Sequence, residues 1–370
     1  MPYTCSNTYS ATHNRGPRKK VETPMNNAAA TIHRDPVLVD FGLQGGGSHG
    51  AFTWGVLDRF LEEPWLQIDG VSGTSAGAMN AAVLAAGYAK GGAAGARIAL
   101  ESFWRGVSEA ARYSPLQRGP LDILFGRWTM DNSPVYQVAD MMSRVISPYT
   151  LSSGGKNPLR DILAEFIDFE AIGQSPIKTF ITATNVHTGR GRVFHNKEIT
   201  PDVLLASACL PTMFQAVEID GDHYWDGGYS GNPTITPLIR YCKSDDTILV
   251  PINPVERKEV PRTANEIFNR LNEISFNAVA LKELRMIALL RKVVDAGDTE
   301  GAEWAKMRLH RVGNDIMNTL GASSKMITEW AFLTMLRDEG RKSAQAFLDA
   351  HAMDLGKKST LDIDVLLEGV

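Results

Sequence analysis

Apolar positions along this chain fall into two alternating patterns, short unbroken runs and runs at helical spacing. Val37–Leu43 is a strand-like run, and Ala51–Leu61 then sets Phe52, Val56, Leu57, Phe60 and Leu61 on one helical face. Leu66–Val71 is a second short strand, followed by Ala76–Ala86, nearly all small helix formers. Asn157–Phe169 reads as a helix and Thr179–Val186 as a strong strand with which Arg192–His195 can pair. Phe214–Ile219 and His223–Trp225 flank Asp220-Gly221, a hairpin turn signal. Ile248–Asn253 reads as the last core strand, closed by Asn253-Pro254. Strands alternating with helices predict a three-layer α/β/α domain over residues 36–255, built on a mainly parallel sheet. Residues 256–370 predict a C-terminal helical extension packed on that core. Within it, Ile274–Val294 intersperses Lys282, Arg285, Arg291 and Lys292 among apolar groups. Such a helix either docks its apolar face on the core or lies on an anionic lipid surface.

Residues 1–35 are polar, carry a basic Arg15–Lys20 patch and lack an apolar signal segment, so they read as a mobile tail, with Met25 as an alternative start. Residues 114–158 are rich in Pro, Gly and aromatics, including Phe125, Trp128 and Tyr149. That stretch reads either as a lid over a site or as a structural surface loop. A net charge of −4 provides no general basic surface for nucleic acid. Three scattered cysteines, Cys5, Cys209 and Cys242, suit neither a disulfide framework nor a zinc site. No apolar run reaches the ~18 residues of a membrane span. A cytoplasmic protein without cofactor or metal is the expectation, and no pattern specifies an oligomeric state.

Two glycine clusters carry the candidate chemistry. Gly73-Thr74-Ser75-Ala76-Gly77 fits G-x-S-x-G, which places a serine on a sharp strand-to-helix turn with its hydroxyl in an open cleft. Its alternative is a tightly packed Ala-rich helix with an incidental serine. Gly45-Gly46-Gly47-Ser48-His49-Gly50 lies between strand and helix, where exposed N–H groups form an anion nest. For acyl transfer that anion is the tetrahedral oxyanion. The same residues satisfy G-x-G-x-x-G, so a dinucleotide-binding oxidoreductase is the rival reading; its acidic residue, about 20 positions on, would be Asp69. Asp226-Gly227-Gly228 leaves the hairpin, and its carboxylate either takes a proton from Ser75 or caps its own turn. A Ser-acid-His chain order would need a histidine after Asp226. Only His310 and His351 follow, both in charged stretches that read as helical.

These elements, in this order, resemble the patatin-like phospholipase family, as does Ala206-Ser207-Ala208-Cys209-Leu210-Pro211 ahead of the Asp segment. The resemblance spans roughly residues 37–255. It implies a patatin-like α/β/α core and a lipid acyl hydrolase with a Ser–Asp dyad and no catalytic histidine. By position, Ser75 is the nucleophile, Asp226 the base, Gly45, Gly46, Gly47 and Ser48 the oxyanion loop, and Gly73 and Gly77 the elbow. One departure is His49, where the family commonly has Arg or Lys. His49 is therefore either a pH-dependent element or a ring packed at the helix start, and His223, three residues before Asp226, is a second candidate modulator. The partner implied is a lipid or other ester, with transient contact at a membrane surface. A catalytically silent binding module, with Ser75 a relic, remains the third reading.

Overall fold

A computed structural model describes residues 34–151, 157–294 and 299–366. The tail expected over residues 1–35 lies outside them except for Arg34 and Asp35. From Arg34 onward the chain forms one compact unit.

The eight strands are β1 (Val37–Leu43), β2 (Leu66–Gly73), β3 (Lys178–Asn185), β4 (Gly191–His195), β5 (Val217–Ile219), β6 (Asp222–Asp226), β7 (Asp246–Val250) and β8 (Arg308–Arg311). They form one sheet in the order β5-β6-β3-β2-β1-β7-β8, with β4 also on β3. The run from β3 through β8 is parallel, and β4, β5 and β6 are antiparallel additions. Alternation along β1 sends side chains to two helical layers. Phe41 meets Phe60 of helix α1 (Gly50–Phe60) at 5.5 Å between ring centroids. Gly42 faces Leu249 and Pro233 on the opposite side. Leu249 there packs with Leu284 and Ile287 of the helix Ala264–Val293. This helix therefore docks its apolar face on the core, while Lys282 and Arg285 stay exposed. Helix α2 (Ala76–Ala110) follows β2 directly and bends at Gly91 and Gly92.

The edge of β3 decides where the site falls. β4 pairs with Phe180–Thr184 along one edge. Each strand residue has only two edges, so β2 and β6 must share the other, end to end. β2 pairs parallel up to Gly73↔Ile181, and β6 antiparallel from Ala183↔Asp226 onward. The carboxyl end of β2 and the carboxyl end of β6 thus meet two residues apart on β3, roughly 7 Å of strand. The β5–β6 hairpin that delivers Asp226 turns on Asp220 and Gly221, both at positive φ (54° and 84°), as a two-residue type I′ turn requires.

Two sequence expectations need correction. Ile248–Asn253 is not the last core strand, and the segment after residue 255 is not wholly helical: β8 extends the sheet beyond β7. His310 accordingly lies in a strand. Arg-Leu-His-Arg shows no apolar run because its polar groups are satisfied inside. Asp246 accepts from Arg308 Nε and Nη2 (2.9 and 2.7 Å) and from the Gly356 amide (2.9 Å), and pairs with His310 Nε2 at 3.0 Å. These bonds hold the Asp246 carboxyl below its usual range despite the opposing cost of burial. Removing one partner of such a buried set strands the others, at a cost of about 3 kcal/mol or more. Asp246→Ala should therefore lower the melting temperature by several degrees. Asp245→Ala, whose carboxylate stands 3.6 Å from Arg308 nearer the surface, should cost about 1 kcal/mol or less. Equal melting temperatures for Asp246→Ala and the unsubstituted protein would show that β8 is held by packing alone.

Candidate active site

Ser75 stands between β2 and α2 with φ 53° and ψ −120°, a strained conformation for a residue with a side chain. Strain of this kind persists only where neighbours over-determine it. Here the Ser75 amide donates to Ser207 Oγ (3.0 Å), and Ser207 Oγ donates to Thr182 O (2.7 Å). Thr74 Oγ1 donates to Gly231 O (2.6 Å). Gly73 and Gly77 lie against each other across the turn. Asn80 Nδ2 donates to Gly50 O (2.9 Å), tying α2 to the start of α1. The strand–turn–helix geometry expected from G-x-S-x-G is present, with Ser75 at the turn ahead of α2 rather than within it.

Asp226 is almost fully buried. Its Oδ1 accepts from the Gly228 amide at 2.7 Å, and its carboxyl is hydrogen-bonded to the Ser75 side chain. Burial pushes it up to about 7; the Gly228 and Ser75 bonds and the charge of Lys325 act against that rise. A carboxyl poised there exchanges a proton near neutrality. The cap to Gly228 and the contact with Ser75 coexist, so the two sequence readings of Asp226 are not exclusive.

The Gly45–Gly50 loop closes on this pair. A Cβ on Gly45 would stand 2.6 Å from Ser75 Cβ, so the loop and the elbow touch. Gly47 has φ 59°, and a Cβ there would also strike Lys325 O. The Gly45 amide is already engaged, donating to Asn232 Oδ1 at 2.6 Å. It is therefore not open to an anion, unlike its expected place among the donors; Gly46, Gly47 and Ser48 follow it at the head of the 3-10 turn Gly47–His49. Gln44 anchors the loop from below. Its Oε1 accepts from the Ile252 and Asn253 amides (2.8 and 2.7 Å), and its Nε2 donates to Asn277 Oδ1 (2.7 Å) and Asn232 O (3.2 Å).

Neither candidate modulator sits as a proton carrier. His49 is buried and within 2.7 Å of Ser324 Oγ through Nε2. Burial, with the charges of Lys325 and Arg257, drives it well below the usual histidine range, so the ring is neutral and packs at the helix start. His223 lies three residues from Asp226 on one strand, and odd spacing puts the two on opposite faces. Its ring meets His187 edge-on at 5.6 Å instead. The dinucleotide reading fails on position: Asp69 is the bulged residue in the middle of β2 and pairs with Lys178 at 3.0 Å, far from the strand end that a ribose would occupy.

Ser207, Gln44, Asn232 and Lys325 were absent from the sequence-derived site. Only Ser207 had a signal, its place in the Ala206–Pro211 stretch.

Residues 114–151 are tied at several points to segments that pack near this site. Met130 N donates to Ser323 Oγ (3.1 Å), and Arg118 pairs with Glu329 (2.5 Å), both next to the oxyanion loop's neighbours. Arg144 reaches Asn265 and lies over the Phe268 ring, and the Ala216 amide donates to Tyr149 Oη (3.1 Å). Leu121, Leu124, Phe125, Met141 and Val145 are exposed. Trp128 is not part of that surface; it packs on Phe332 with Arg118 over its other face. Among the described residues, no helix is long and apolar enough to cross a membrane.

A family model described as patatin-like phospholipase matches residues 43–239, more than half of the chain. Among solved structures, VipD from Legionella pneumophila is similar at 15% identity over 86% of this chain and 67% of that one, with a TM-score of 0.38. The ExoU-SpcU complex of the type III secretion system of Pseudomonas aeruginosa is similar at 18% identity over 90% of this chain and 74% of that one, with a TM-score of 0.29. No curated protein sequence matches.

The raised Asp226 has a consequence for stability. An unfolded aspartate ionises near 3.8, the folded one near 7. The folded state therefore gives up stability as pH rises between those values and loses no more above them. Asp226→Asn, which does not titrate, should gain melting temperature over the unsubstituted protein from pH 4 to pH 7, with a constant gap beyond. A gap independent of pH would show that the carboxyl titrates normally.

Proposed function

The chain belongs to the patatin-like phospholipase family, and we propose that it is a serine acyl hydrolase acting on carboxylic esters of lipids through Ser75 and Asp226. The observation that carries this is the contact of a strained elbow serine with a buried carboxyl poised near neutrality. Ser75 Oγ attacks the ester carbonyl carbon and its proton passes to Asp226. The carbonyl oxygen becomes an oxyanion facing the amides of Gly46, Gly47 and Ser48. Collapse of that intermediate breaks the bond to the leaving alcohol, which takes the proton from Asp226. Water then repeats the sequence on the acyl-enzyme, giving up its proton to Asp226 and restoring Ser75. No step calls for a metal. The dry setting makes an aspartate a sufficient base, since the same burial that raises its proton affinity removes competing water.

The exposed apolar residues of 114–151 suit a lipid surface, whose ester bonds lie below the headgroups. They would seat the mouth of the site at the interface while Ser75 stays on the rigid turn. This favours lipid over small soluble esters as the working substrate.

A fluorophosphonate probe should label Ser75, and Ser75→Ala should lose labelling together with roughly 10,000-fold of kcat. Asp226→Asn should lose a comparable amount, and the double variant little more, because the two act as one unit. The base must be ionised, so kcat/KM should rise with pH through a midpoint near 7. Full turnover by Asp226→Asn would remove the dyad, and an unlabelled wild-type protein would favour a silent binding module.

Leu124→Asp and Phe125→Asp should depress hydrolysis of phospholipid vesicles while leaving a short-chain soluble ester nearly untouched. Charge reversal at the exposed Lys282 and Arg285 should alter neither, because solvated charges are screened. Equal losses on both substrates from the apolar changes would assign those residues to packing.

A further inference from the structure

One cation in the site has no part in the steps above. Lys325 comes from the C-terminal 3-10 helix Ala322–Met326, whose backbone packs on the oxyanion loop at Gly47. Its Nζ donates to Asn253 Oδ1 at 2.7 Å, and Asn253 Nδ2 donates to Gly45 O at 2.6 Å. Among the described residues Lys325 makes no ion pair within 4.0 Å; its nearest carboxylate influences are Glu273 and Asp226. Glu273 is already bound by Arg257 (2.6 Å) and Arg270 (3.1 Å). The field of Lys325 is therefore left to act on Asp226 and the loop. The loop's own candidate, His49, is neutral.

We infer that Lys325 is a positioning residue of the hydrolysis, supplying from the C-terminal segment the positive charge that the Gly45–Gly50 loop lacks and holding that loop through Asn253. The inference rests on the Ser75–Asp226 reading. During acylation one negative charge moves from the Asp226 carboxylate to the oxyanion, and the net charge of the site is unchanged. A fixed ammonium whose field reaches Asp226 and whose side chain is tied through Asn253 to the oxyanion loop balances the charge before and after the transfer, so less solvent has to reorganise.

Among the described residues, the groups facing this pair are few. Asp226 is faced by Lys325, Cys209 and Tyr229, and burial pushes the last two up to about 12, so both stay neutral. Lys325 is faced by Asp226, Glu273, Arg257 and the neutral His49, and burial brings its ammonium down to about 8.

The test is the pH profile of kcat/KM on a short soluble ester. The unsubstituted protein should gain activity through about 7 as Asp226 ionises and lose it above about 8 as Lys325 discharges. Lys325→Met should move the acid limb upward, because the carboxylate loses its opposite charge, so activity at pH 6.5 should fall at least about twofold. Lys325→Arg, which holds its charge at all these pH values, should return the acid limb and abolish the alkaline fall. Limb positions do not depend on how much protein folds, and the alkaline limb needs no variant. A merely structural lysine would lower melting temperature and amplitude and leave both limbs in place. That result, or a flat unsubstituted profile from pH 8 to 9.5, overturns the inference. Ser75→Ala separates the two levels. If it is inactive while the Lys325→Met limb is unshifted, only the role of Lys325 falls; if it is active, the dyad and this inference fall together.

Discussion

Everything at the site follows from one edge of β3 being shared by two strands of opposite direction. β2 arrives parallel and ends at Gly73; β6 arrives antiparallel and ends at Asp226. Both strands present their carboxyl ends to the same gap. Ser75, two residues past the end of β2, and Asp226, the last residue of β6, then meet without a long loop to hold either. Neither position can drift independently, because each is fixed by the register of the same central strand. A one-residue slip of β6 would turn the Asp226 carboxyl to the face that His223 occupies.

That geometry sets an electrostatic problem. A carboxyl delivered by a strand end into the interior is costly when ionised, and among the described residues two hydrogen bonds and the charge of Lys325, held outside ion-pair contact, act against the cost. The fold makes up for it elsewhere. Gln44 makes four bonds without a charge, and Asp246 makes a saturated set with Arg308 and His310 on the outer strands. Gln44 and Asp246 are thus well paired, whereas Asp226 has fewer partners than its burial calls for. The contrast is what a raised carboxyl near neutrality requires.

The legible part of this arrangement left compositional marks. Gly45–Gly50, Gly73–Gly77 and Asp226-Gly227-Gly228 stand out because close backbone approach and positive φ demand glycine, and β1, β2 and β3 stand out because strands buried on both faces read as apolar runs. The partners of those segments left no such mark. Ser207 reaches Ser75 across 132 residues and Asn232 reaches Gly45 across 187; nothing local to a serine or an asparagine announces such a contact. β8 was invisible for a different reason. Its half-buried Arg308 and buried His310 turn to Asp246, so the rule that strands look apolar fails where an ion pair replaces the apolar face. Gly45 was misjudged because a loop amide looks free in sequence, whatever acceptor the fold brings to it.

The two halves of the active region are built on different principles. Ser75, Asp226 and the oxyanion amides hang from strand ends and helix starts, packed so tightly that a methyl group on Gly45 would overlap Ser75. The bordering segment 114–151 consists of short helices whose apolar side chains largely face outward and whose anchors are a few polar contacts to residues 216, 265, 323 and 329. Changes in that segment can reshape the apolar border without moving the strands. The outward-facing excursion is therefore separable from Ser75 and Asp226, whose placement is set by the register of β3.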